Sequence, residues 1–284
     1  MSDLERALDP SFPRAPIPAT PRVTRPAASY ALRALSTEAE LYESYRLRYE
    51  TYSALGYLQH SNRSRLDIDV YDLSSIAFGA FDTATGAMIG TLRLITTELQ
   101  RDADRLIGHV LTECSDADLT QQALEPHDRD LPSIVSDQVA RQIVAFNTRQ
   151  LPIYEFSRFI VHPDYRLSHV SRSLGALGMA YAMQSGPALF IAGCLPQHNR
   201  LYASYGFVKL PDTDLDYFDS VGQIANTIVC RSDILPGPIQ SQIDDLLRGI
   251  ASGSWELTRE LGRNARAVYR LAAPGRDRRE LRVW

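Results

Sequence analysis

Cysteine is scarce in this sequence, and the three cysteines, Cys114, Cys194 and Cys230, show no paired spacing. Cys194 and Cys230 stand in apolar, strand-like runs, where cysteine usually behaves as a small buried hydrophobic residue. We therefore expect a reducing compartment and no disulfide framework. At 284 residues the chain is long enough to bury a large core without a disulfide or a metal to stabilise it.

Long apolar runs are also missing. No stretch approaches about 18 consecutive apolar residues, so no transmembrane segment is expected. Residues 1–8 are polar and acidic, unlike a signal peptide, and we expect a cytoplasmic protein. The six histidines are scattered without metal-ligand spacing, which predicts no metal site. The glycines form neither the Rossmann nor the P-loop phosphate fingerprint.

The ends of the chain differ in composition from its middle. Residues 1–28 hold six prolines and little apolar periodicity, which predicts a disordered leader. The net charge is -4, yet residues 256–284 carry eight arginines against four acidic residues. Such a tail is typical of a solvated helix face, or of a contact with an acidic partner. No nucleic-acid motif accompanies it, so no nucleic acid is expected as a partner. We assign the main domain to 29–235 and an arginine-rich, helical extension to 236–284.

The remaining patterns predict mixed secondary structure. Thr37 and Glu40 form a capping box that opens a helix ending near Ser53. Apolar runs around Gly86 predict a hairpin of strands 75–81 and 88–96. Further strands are predicted at 29–35, 153–161 and 188–194, from 207, and at 223–230. Further helices are predicted at 101–111, 133–147, 171–184 and 196–205, from 238, and from 255 to 271. This order indicates an α+β fold with a mixed sheet.

Charged residues interrupt the apolar strand 153–161. Glu155 and Arg158 stand three residues apart in it, and burying ions costs several kcal/mol each unless they are paired. Such a strand belongs either to an ion network or to an active site. Three upstream segments carry similar charges, namely Arg48 in a helix, Asp69 and Asp72 in a loop, and Arg93 in a strand.

Taken together, these segments resemble a known superfamily. The runs YRLRYETY and LGYL are followed by LDIDVYD, IGTLRL and EFSRFIV. In this order they are similar to the LuxI-type autoinducer synthases and, more closely, to the FeeM-type N-acyl amino acid synthases. The run HNRLYASYGF is similar to the end of the GNAT acyltransferase fold. The resemblance covers 36–231 and implies a mainly antiparallel GNAT sheet flanked by helices. It also implies that Arg48, Asp69, Asp72, Arg93, Glu155 and Arg158 line the acceptor side of an acyl-transfer site.

The sequence departs from the wider family at two places. Tyr57 stands where the autoinducer synthases usually have the tryptophan of an S-adenosylmethionine pocket. The segment 166–173 has no glycine-rich loop for a CoA pyrophosphate. A donor presenting one phosphate, as phosphopantetheine on an acyl carrier protein does, needs fewer contacts. We expect this group to be bound at the start of the following helix, by Arg166, Ser171, Arg172 and Asn199.

Acyl transfer from a thioester to an amine requires a base for the ammonium. Glu155 fits this role by position, or it forms a permanent salt bridge with a nearby arginine. Arg158 points away from Glu155 if the strand is regular, whereas a bulge would relax that inference. Arg158 is either a catalytic residue in contact with the ligand or a scaffold partner of Asp69 or Asp72. Arg48 and Arg93 either grip the carboxylate of the acceptor or pair with the loop aspartates.

Further candidate roles concern single residues and one helix. Asp72 either binds the acceptor ammonium or caps the strand at Ser74. Tyr202 either returns a proton to the departing thiolate or packs its short helix. Cys194 is interpreted as a core residue rather than a nucleophile. The small-residue helix 174–182 and the facing strands could leave an apolar tunnel for a fatty acyl chain.

The sequence thus predicts an N-acyltransferase without a bound cofactor. The donor would be an acyl group on an acyl carrier protein, and the acceptor an amino acid. Three alternatives stay open at this point. They are an acyl-homoserine-lactone synthase, a CoA-dependent GNAT, and a catalytically silent acyl-binding module.

Overall fold

A computed structural model describes residues 29–58, 62–96, 131–166, 169–218, 222–251, 256–260 and 268–272. The predicted leader and the predicted helix at 101–111 lie outside these residues. The strands are β1 Tyr30–Ala34, β2 Ser75–Asp82, β3 Met88–Thr96, β4 Ile153–Val161, β5 Leu189–Cys194, β6 Val208–Lys209, β7 Asp216–Phe218, β8 Gln223–Arg231, β9 Glu256–Glu260 and β10 Val268–Ala272. The helices are α1 Glu38–Leu55, α2 Asp137–Phe146, α3 Val170–Ala182, α4 Asn199–Ala203 and α5 Gly237–Ala251.

One continuous sheet runs through the fold in the order β10-β9-β1-β2-β3-β4-β5-β8-β6, and β7 pairs with β8. All neighbouring strands are antiparallel except β4 and β5, which are parallel. The expected α+β fold with a mixed, mainly antiparallel sheet is confirmed. Among the described helices, none is long and apolar enough to cross a membrane.

Helix α1 begins and ends at the signals that the sequence carries. Thr37 Oγ1 accepts from Glu40 N at 3.2 Å, and the Glu40 carboxylate accepts in return from Thr37 N. The helix ends at Gly56, whose left-handed φ of 70° a residue with a Cβ adopts less readily. Its buried face includes Tyr45 and Arg48, so the helix carries a guanidinium into the interior.

The β2–β3 hairpin turns as predicted. Asp82 accepts from the backbone N–H groups of Ala84 and Thr85, and Gly86 has a φ of 73°. Both strands are buried along their full length. The hairpin therefore forms the centre of the sheet and places Arg93 of β3 deep inside the protein.

Strand β4 contains the irregularity on which the site depends. Its ladder with β3 shifts register by one residue between Ser157 and Ile160, and Arg158 has a φ of 49°. This is a β-bulge, in which one extra residue on one strand re-aims the side chains that follow. Pairing between β4 and β5 ends at Phe156 and Ala192, beyond which the two strands separate.

Helix α3 lies close against the sheet because of its small residues. A Cβ added at Gly178 would come within 2.7 Å of Leu92 Cδ2 on β3. The main hydrophobic core fills this contact and includes Phe156, Leu174 and Phe190. Helix α5 packs against the same core through Ile239 and Ile243.

The prediction of a last helix at 255–271 is wrong. Residues Glu256–Glu260 and Val268–Ala272 are strands, which extend the sheet by pairing β9 with β1 and β10 with β9. Thr258, Val268 and Tyr269 favour strands by their branched or aromatic side chains. The outer edge of β1 also offers unpaired backbone groups that a strand satisfies. Among the described residues of the extension, α5 is helical and the other two segments are strands.

Candidate active site

Three arginines and three aspartates form one ion network beneath the sheet. The arginines come from three elements: Arg48 from α1, Arg93 from β3 and Arg158 from β4. The aspartates Asp67, Asp69 and Asp72 all come from the loop after α1 and its 3-10 turn, Val70–Ser74. The three positive and three negative charges balance, so the network buries no net charge.

Arg48 is 1 % exposed and is fully engaged by two of the carboxylates. Its Nη1 and Nη2 donate to the two oxygens of Asp72 at 2.8 and 3.0 Å, and its Nε donates to Asp67 Oδ2 at 3.0 Å. Such a bidentate pair fixes the planar guanidinium in one orientation. Arg48 therefore ties α1 to the loop.

Arg93 is also 1 % exposed and binds two aspartates of the same loop, Asp69 and Asp72. It donates to both oxygens of Asp69, lies 3.0 Å from Asp72 Oδ2, and donates from Nη2 to Ser157 Oγ at 3.0 Å. Asp69 also caps the 3-10 turn, where its Oδ1 accepts from Tyr71 N at 3.0 Å. These aspartates thus shape the loop as well as pairing the arginines.

Arg158 joins the network from the bulge. Its Nε donates to Asp67 Oδ2 at 2.7 Å, and its Nη2 donates to Asp69 Oδ2 at 3.0 Å. Its Cζ lies 5.3 Å from the centre of the Tyr52 ring, within cation–π range. Burial raises the pKa of Asp67, but Arg158 and Arg48 outweigh it, and the pKa lies below its ordinary value.

Glu155 stands apart from these pairs. Its Oε2 accepts from Ser133 N at 3.0 Å, and its Oε1 accepts from Ser133 Oγ at 2.7 Å. Burial raises the pKa of Glu155 to about 7, even though the two hydrogen bonds from Ser133 act to lower it. The carboxylate can therefore take up or release a proton near neutral pH, which suits a general base.

A cavity of about 520 Å³ opens where β4 and β5 separate. Its polar lining includes Glu155, Ser133, Ser157 and Arg158. The apolar part of its wall includes Leu55, Phe156, Phe159, Leu195, Leu201 and Phe218. A few convergent polar groups in a largely apolar cavity are typical of a small-molecule site.

Four of the predicted acceptor-binding residues do not line this cavity. The side chains of Arg48, Asp69, Asp72 and Arg93 lie behind its wall, in the pairs described above. The residues predicted from the sequence do lie in one cluster. Two interpretations were open for Arg48 and Arg93, and the structure contains the pairing with aspartates. A direct grip of either arginine on an acceptor stays a prediction.

The four residues predicted to bind the donor divide into two groups. Arg166 and Ser171 line the cavity, whereas Arg172 and Asn199 do not. Arg166 Nε lies 3.5 Å from the carbonyl of Val161 at the end of β4. Asn199 Oδ1 accepts from the thiol of Cys194 at 3.3 Å, so it is engaged within the protein.

Tyr202 and Cys194 also line the cavity. Tyr202 packs edge to face against Phe159 and Phe207, with ring centres 6.2 and 5.4 Å apart. Burial raises the pKa of Tyr202 well above its ordinary value, and the hydroxyl keeps its proton. Burial likewise raises the pKa of Cys194 to about 12, so its thiol is not a nucleophile near neutral pH.

Three residues of the site were missed in the sequence. Asp67 alternates with Asp69 in the run LDID, which is a signal that could have added it to the cluster. Tyr52 shares the helical spacing of Arg48 on α1. Ser133 carries no local signal, because it lies 22 residues before the carboxylate that it holds. Within the described residues, no cluster of histidine, cysteine or acidic side chains suits a metal ion.

Several solved structures are similar to this chain. The solved structure of FeeM, an N-acyl amino acid synthase from uncultured soil microbes, is 18 % identical, with a TM-score of 0.50 over 75 % of this chain and 94 % of that chain. The CoA-dependent acyl-homoserine lactone synthase BjaI is 17 % identical, with a TM-score of 0.49 over 76 % of this chain and 89 % of its own. No curated protein matches the sequence.

The sheet and its flanking helices have the fold of the GNAT-type acyltransferases. The family model described as N-acyl amino acid synthase FeeM matches residues 43–222. The chain therefore belongs to the FeeM family. The resemblance in the sequence is confirmed at the level of the family, the fold and the acyltransferase class.

Proposed function

We propose that this acyltransferase makes N-acyl amino acids, taking the acyl group from the thioester of an acyl carrier protein. The observation that carries the proposal is Glu155, held by two hydrogen bonds from Ser133 at the polar end of a cavity whose other wall is apolar. An amine and a fatty acyl thioester need these two surroundings side by side.

Glu155 is the proposed base. In its ionised form it takes a proton from the ammonium of the acceptor, directly or through one water. The freed amine attacks the thioester carbonyl, a C–N bond forms, and the C–S bond breaks as the thiolate leaves. As the nitrogen loses its second proton, that proton passes to Tyr202 while the hydroxyl proton of Tyr202 passes to the thiolate, so the tyrosine stays protonated. Glu155 then releases the proton that it took. The products are the amide, the free thiol and one proton.

Arg158 is the positive group nearest to the acceptor in this proposal. It lines the cavity, and it is held from behind by Asp67 and Asp69. Arg48 and Arg93 fix those aspartates, so their contribution is to keep Arg158 in place. The carboxylate of an amino acid would lie near the guanidinium of Arg158 while its amine faces Glu155.

The donor assignment is supported by the segment after β4. Arg166 and Ser171 line the cavity at the start of α3, where backbone N–H groups favour an anion. No glycine-rich loop precedes the helix to cradle a pyrophosphate. A single phosphate, as in the phosphopantetheine arm of a carrier protein, suits this smaller set of groups better than CoA.

The acceptor assignment is supported by Tyr57. Its hydroxyl accepts from Gln197 Nε2 at 3.3 Å, and both side chains line the cavity. Tyr57 therefore lines the cavity at the position where the autoinducer synthases are expected to carry a tryptophan. This favours an amino acid over S-adenosylmethionine as the acceptor.

The decisive experiment supplies the purified protein with acyl donors and a mixture of the twenty amino acids. Mass spectrometry should detect an N-acyl amino acid with acyl carrier protein as the donor, and far less with acyl-CoA. The variant Glu155→Gln should give at least about 10²-fold less product in the same time. Product formed equally well from acyl-CoA would overturn the donor assignment, and lactone formed from S-adenosylmethionine would overturn the acceptor assignment.

A further inference from the structure

Ser133 differs from the other residues around the cavity because it donates two hydrogen bonds to the carboxylate of Glu155. Its backbone N–H and its hydroxyl each donate to a different oxygen of Glu155, at 3.0 and 2.7 Å. Both residues are almost completely buried, Ser133 at 1 % and Glu155 at 2 % exposure. Within the described part of the chain, these are the two hydrogen bonds that the Glu155 carboxylate accepts.

Ser133 is itself held in place from a third element. Its carbonyl accepts from Thr227 Oγ1 at 3.0 Å, and Thr227 lies on β8, where it pairs with Gly193 of β5. Immediately after Ser133, Ser136 caps α2 by accepting from Val139 N at 3.3 Å. The serine is therefore clamped between the sheet and the start of a helix.

The other groups around Glu155 leave Ser133 as its main polar partner. In the strand registers, Glu155 lies opposite Ile95 of β3 and Ile191 of β5, which are apolar. Arg93 from β3 lowers the pKa of Glu155, and Asp69 from the loop raises it, but both act less strongly than burial and the Ser133 bonds. Tyr202 on α4 lines the same cavity as Glu155, and burial keeps its hydroxyl protonated.

We propose that Ser133 is a positioning residue for acyl transfer, which holds both oxygens of Glu155 and sets the pH range in which this carboxylate works as a base. The inference rests on the proposed function of Glu155. Each oxygen gives one lone pair to Ser133 and keeps the other for the proton of the acceptor. Hydrogen bonds to a carboxylate favour its ionised form, so Ser133 opposes the effect of burial and keeps the base available near neutral pH.

The test compares Ser133→Ala with Ser133→Thr, which retains the hydroxyl, and with Ser232→Ala as the matched control. Ser232 is equally buried and its Oγ accepts from Ala188 N at 2.7 Å, away from the cavity. The kcat/KM of each variant is measured from pH 5 to 9. In Ser133→Ala the acid limb of the pH profile of kcat/KM should move up by about one pH unit, and kcat/KM at pH 6 should fall about tenfold. Ser133→Thr should restore the limb, and Ser232→Ala should leave it in place.

A purely structural role would lower the rate of Ser133→Ala by the same factor at every pH, and this result would overturn the proposal. A second readout does not depend on activity. Melting temperatures are measured across pH for two pairs of proteins. The first pair is the parent protein and Glu155→Gln. The second pair is Ser133→Ala and the double variant Ser133→Ala with Glu155→Gln. The difference in melting temperature within each pair grows above the unfolded pKa of Glu155 and levels off at its folded pKa. The pH at which the difference levels off should therefore rise when the hydroxyl is removed, and an unchanged levelling-off pH would contradict the proposal.

The two readouts separate this inference from the proposed function. If Glu155→Gln keeps full activity, the proposed base is wrong, whatever Ser133 does. If Glu155→Gln is inactive and the Ser133→Ala limb does not move, the base is right and the role of Ser133 is wrong. Upward movement of both the acid limb and the pH at which the melting-temperature difference levels off supports the two together.

Discussion

Arg158 reaches Asp67 with its Nε 2.7 Å from Oδ2, and it does so from a backbone conformation with a φ of 49°. A positive φ is uncommon for an arginine and persists only where the surroundings favour it. Here the bulge in β4 provides the conformation, and the ion pairs with the loop hold it.

The bulge changes which side chains share a face of β4. In a regular strand Phe156 and Phe159 would point to opposite sides. In the structure both pack in the main core, with ring centres 6.4 Å apart, while Ile160 packs beneath α1. Arg158 is thereby turned toward the loop aspartates, on the face that also carries Ser157. The proposed base and the arginine beside the acceptor can therefore serve one cavity.

The first prediction concerns the proposed base. Glu155→Gln should lower kcat by about 10²–10⁴, because the amide cannot accept the ammonium proton. The amide can still accept from Ser133 N and donate to Ser133 Oγ, so the fold should be retained. Steady-state kinetics together with circular dichroism check both statements. Activity within threefold of the parent protein would contradict the role assigned to Glu155.

The second prediction is a pH dependence of stability. Burial raises the pKa of Glu155 to about 7 in the folded protein, from an unfolded value near 4.5. Between these values the folded state holds a proton that the unfolded chain has released. The stability from this group is therefore fully present below pH 4.5 and is lost as the pH rises to about 7.

Glu155→Gln, which does not titrate, should consequently be more stable than the parent protein at pH 8, with a difference on the order of 3 kcal/mol. At pH 4.5 the two proteins should be nearly equal. Urea unfolding at both values measures the difference, and groups common to both proteins cancel. A difference that is the same at both pH values would show that the carboxyl does not titrate in this range.

The third prediction concerns the ion network. Asp67→Asn removes one negative charge shared by Arg48 and Arg158 and leaves the buried cluster with a net positive charge. Breaking a buried pair in this way costs about 3–5 kcal/mol. Asp245→Asn is the control, since Asp245 pairs with Arg248 on the surface, where such pairs contribute about 1 kcal/mol or less. Equal losses of stability in the two variants would contradict the description of a buried network.

The sequence was informative where its signals are local. The capping box of Thr37 and Glu40, and Gly86 in the hairpin, depend on neighbours within a few residues, and both are present as predicted. Charges inside apolar runs identified most of the network, because ions are rarely buried without partners. These signals say that a charge is paired, and they do not say with which residue.

What could not be predicted depends on contacts distant in the chain. Ser133 meets Glu155 only because α2 and β8 bring its segment over β4. Strands β9 and β10 form on the open edge of β1, and their short apolar spacing was compatible with a helix as well. Arg166 lines the cavity and Arg172 does not. This difference also could not be predicted, because it depends on where α3 begins relative to the cavity.

The fourth prediction concerns the donor. Arg166→Gln should raise the KM for the acyl carrier protein donor about tenfold with little change in kcat, because a phosphate contact contributes to binding rather than to the chemical step. Arg200→Gln on α4 is the control, since Arg200 is exposed and does not line the cavity. Raising the salt concentration should weaken donor binding less in Arg166→Gln than in the parent protein. Equal effects of the two substitutions would remove Arg166 from the donor site.

The fifth prediction concerns the length of the acyl chain. Phe218 on β7 is 3 % exposed and closes the cavity over Gly193, where an added Cβ would come within 2.5 Å of its ring. Phe218→Ala removes this part of the wall, and each additional methylene that becomes buried contributes about 0.8 kcal/mol to binding. We expect the preferred acyl chain to become longer, with a lower kcat/KM for the donors used best by the parent protein.

Competition between carrier proteins loaded with acyl chains of different length measures this shift, with the products identified by mass spectrometry. Tyr217→Ala is the matched control, because the neighbouring side chain is 49 % exposed and does not line the cavity. It removes a ring from the same strand without enlarging the site. If Phe218→Ala is as stable as Tyr217→Ala and keeps the parent's preference, the acyl chain does not end at Phe218, and it must then extend toward the wall formed by Leu195 and Leu201.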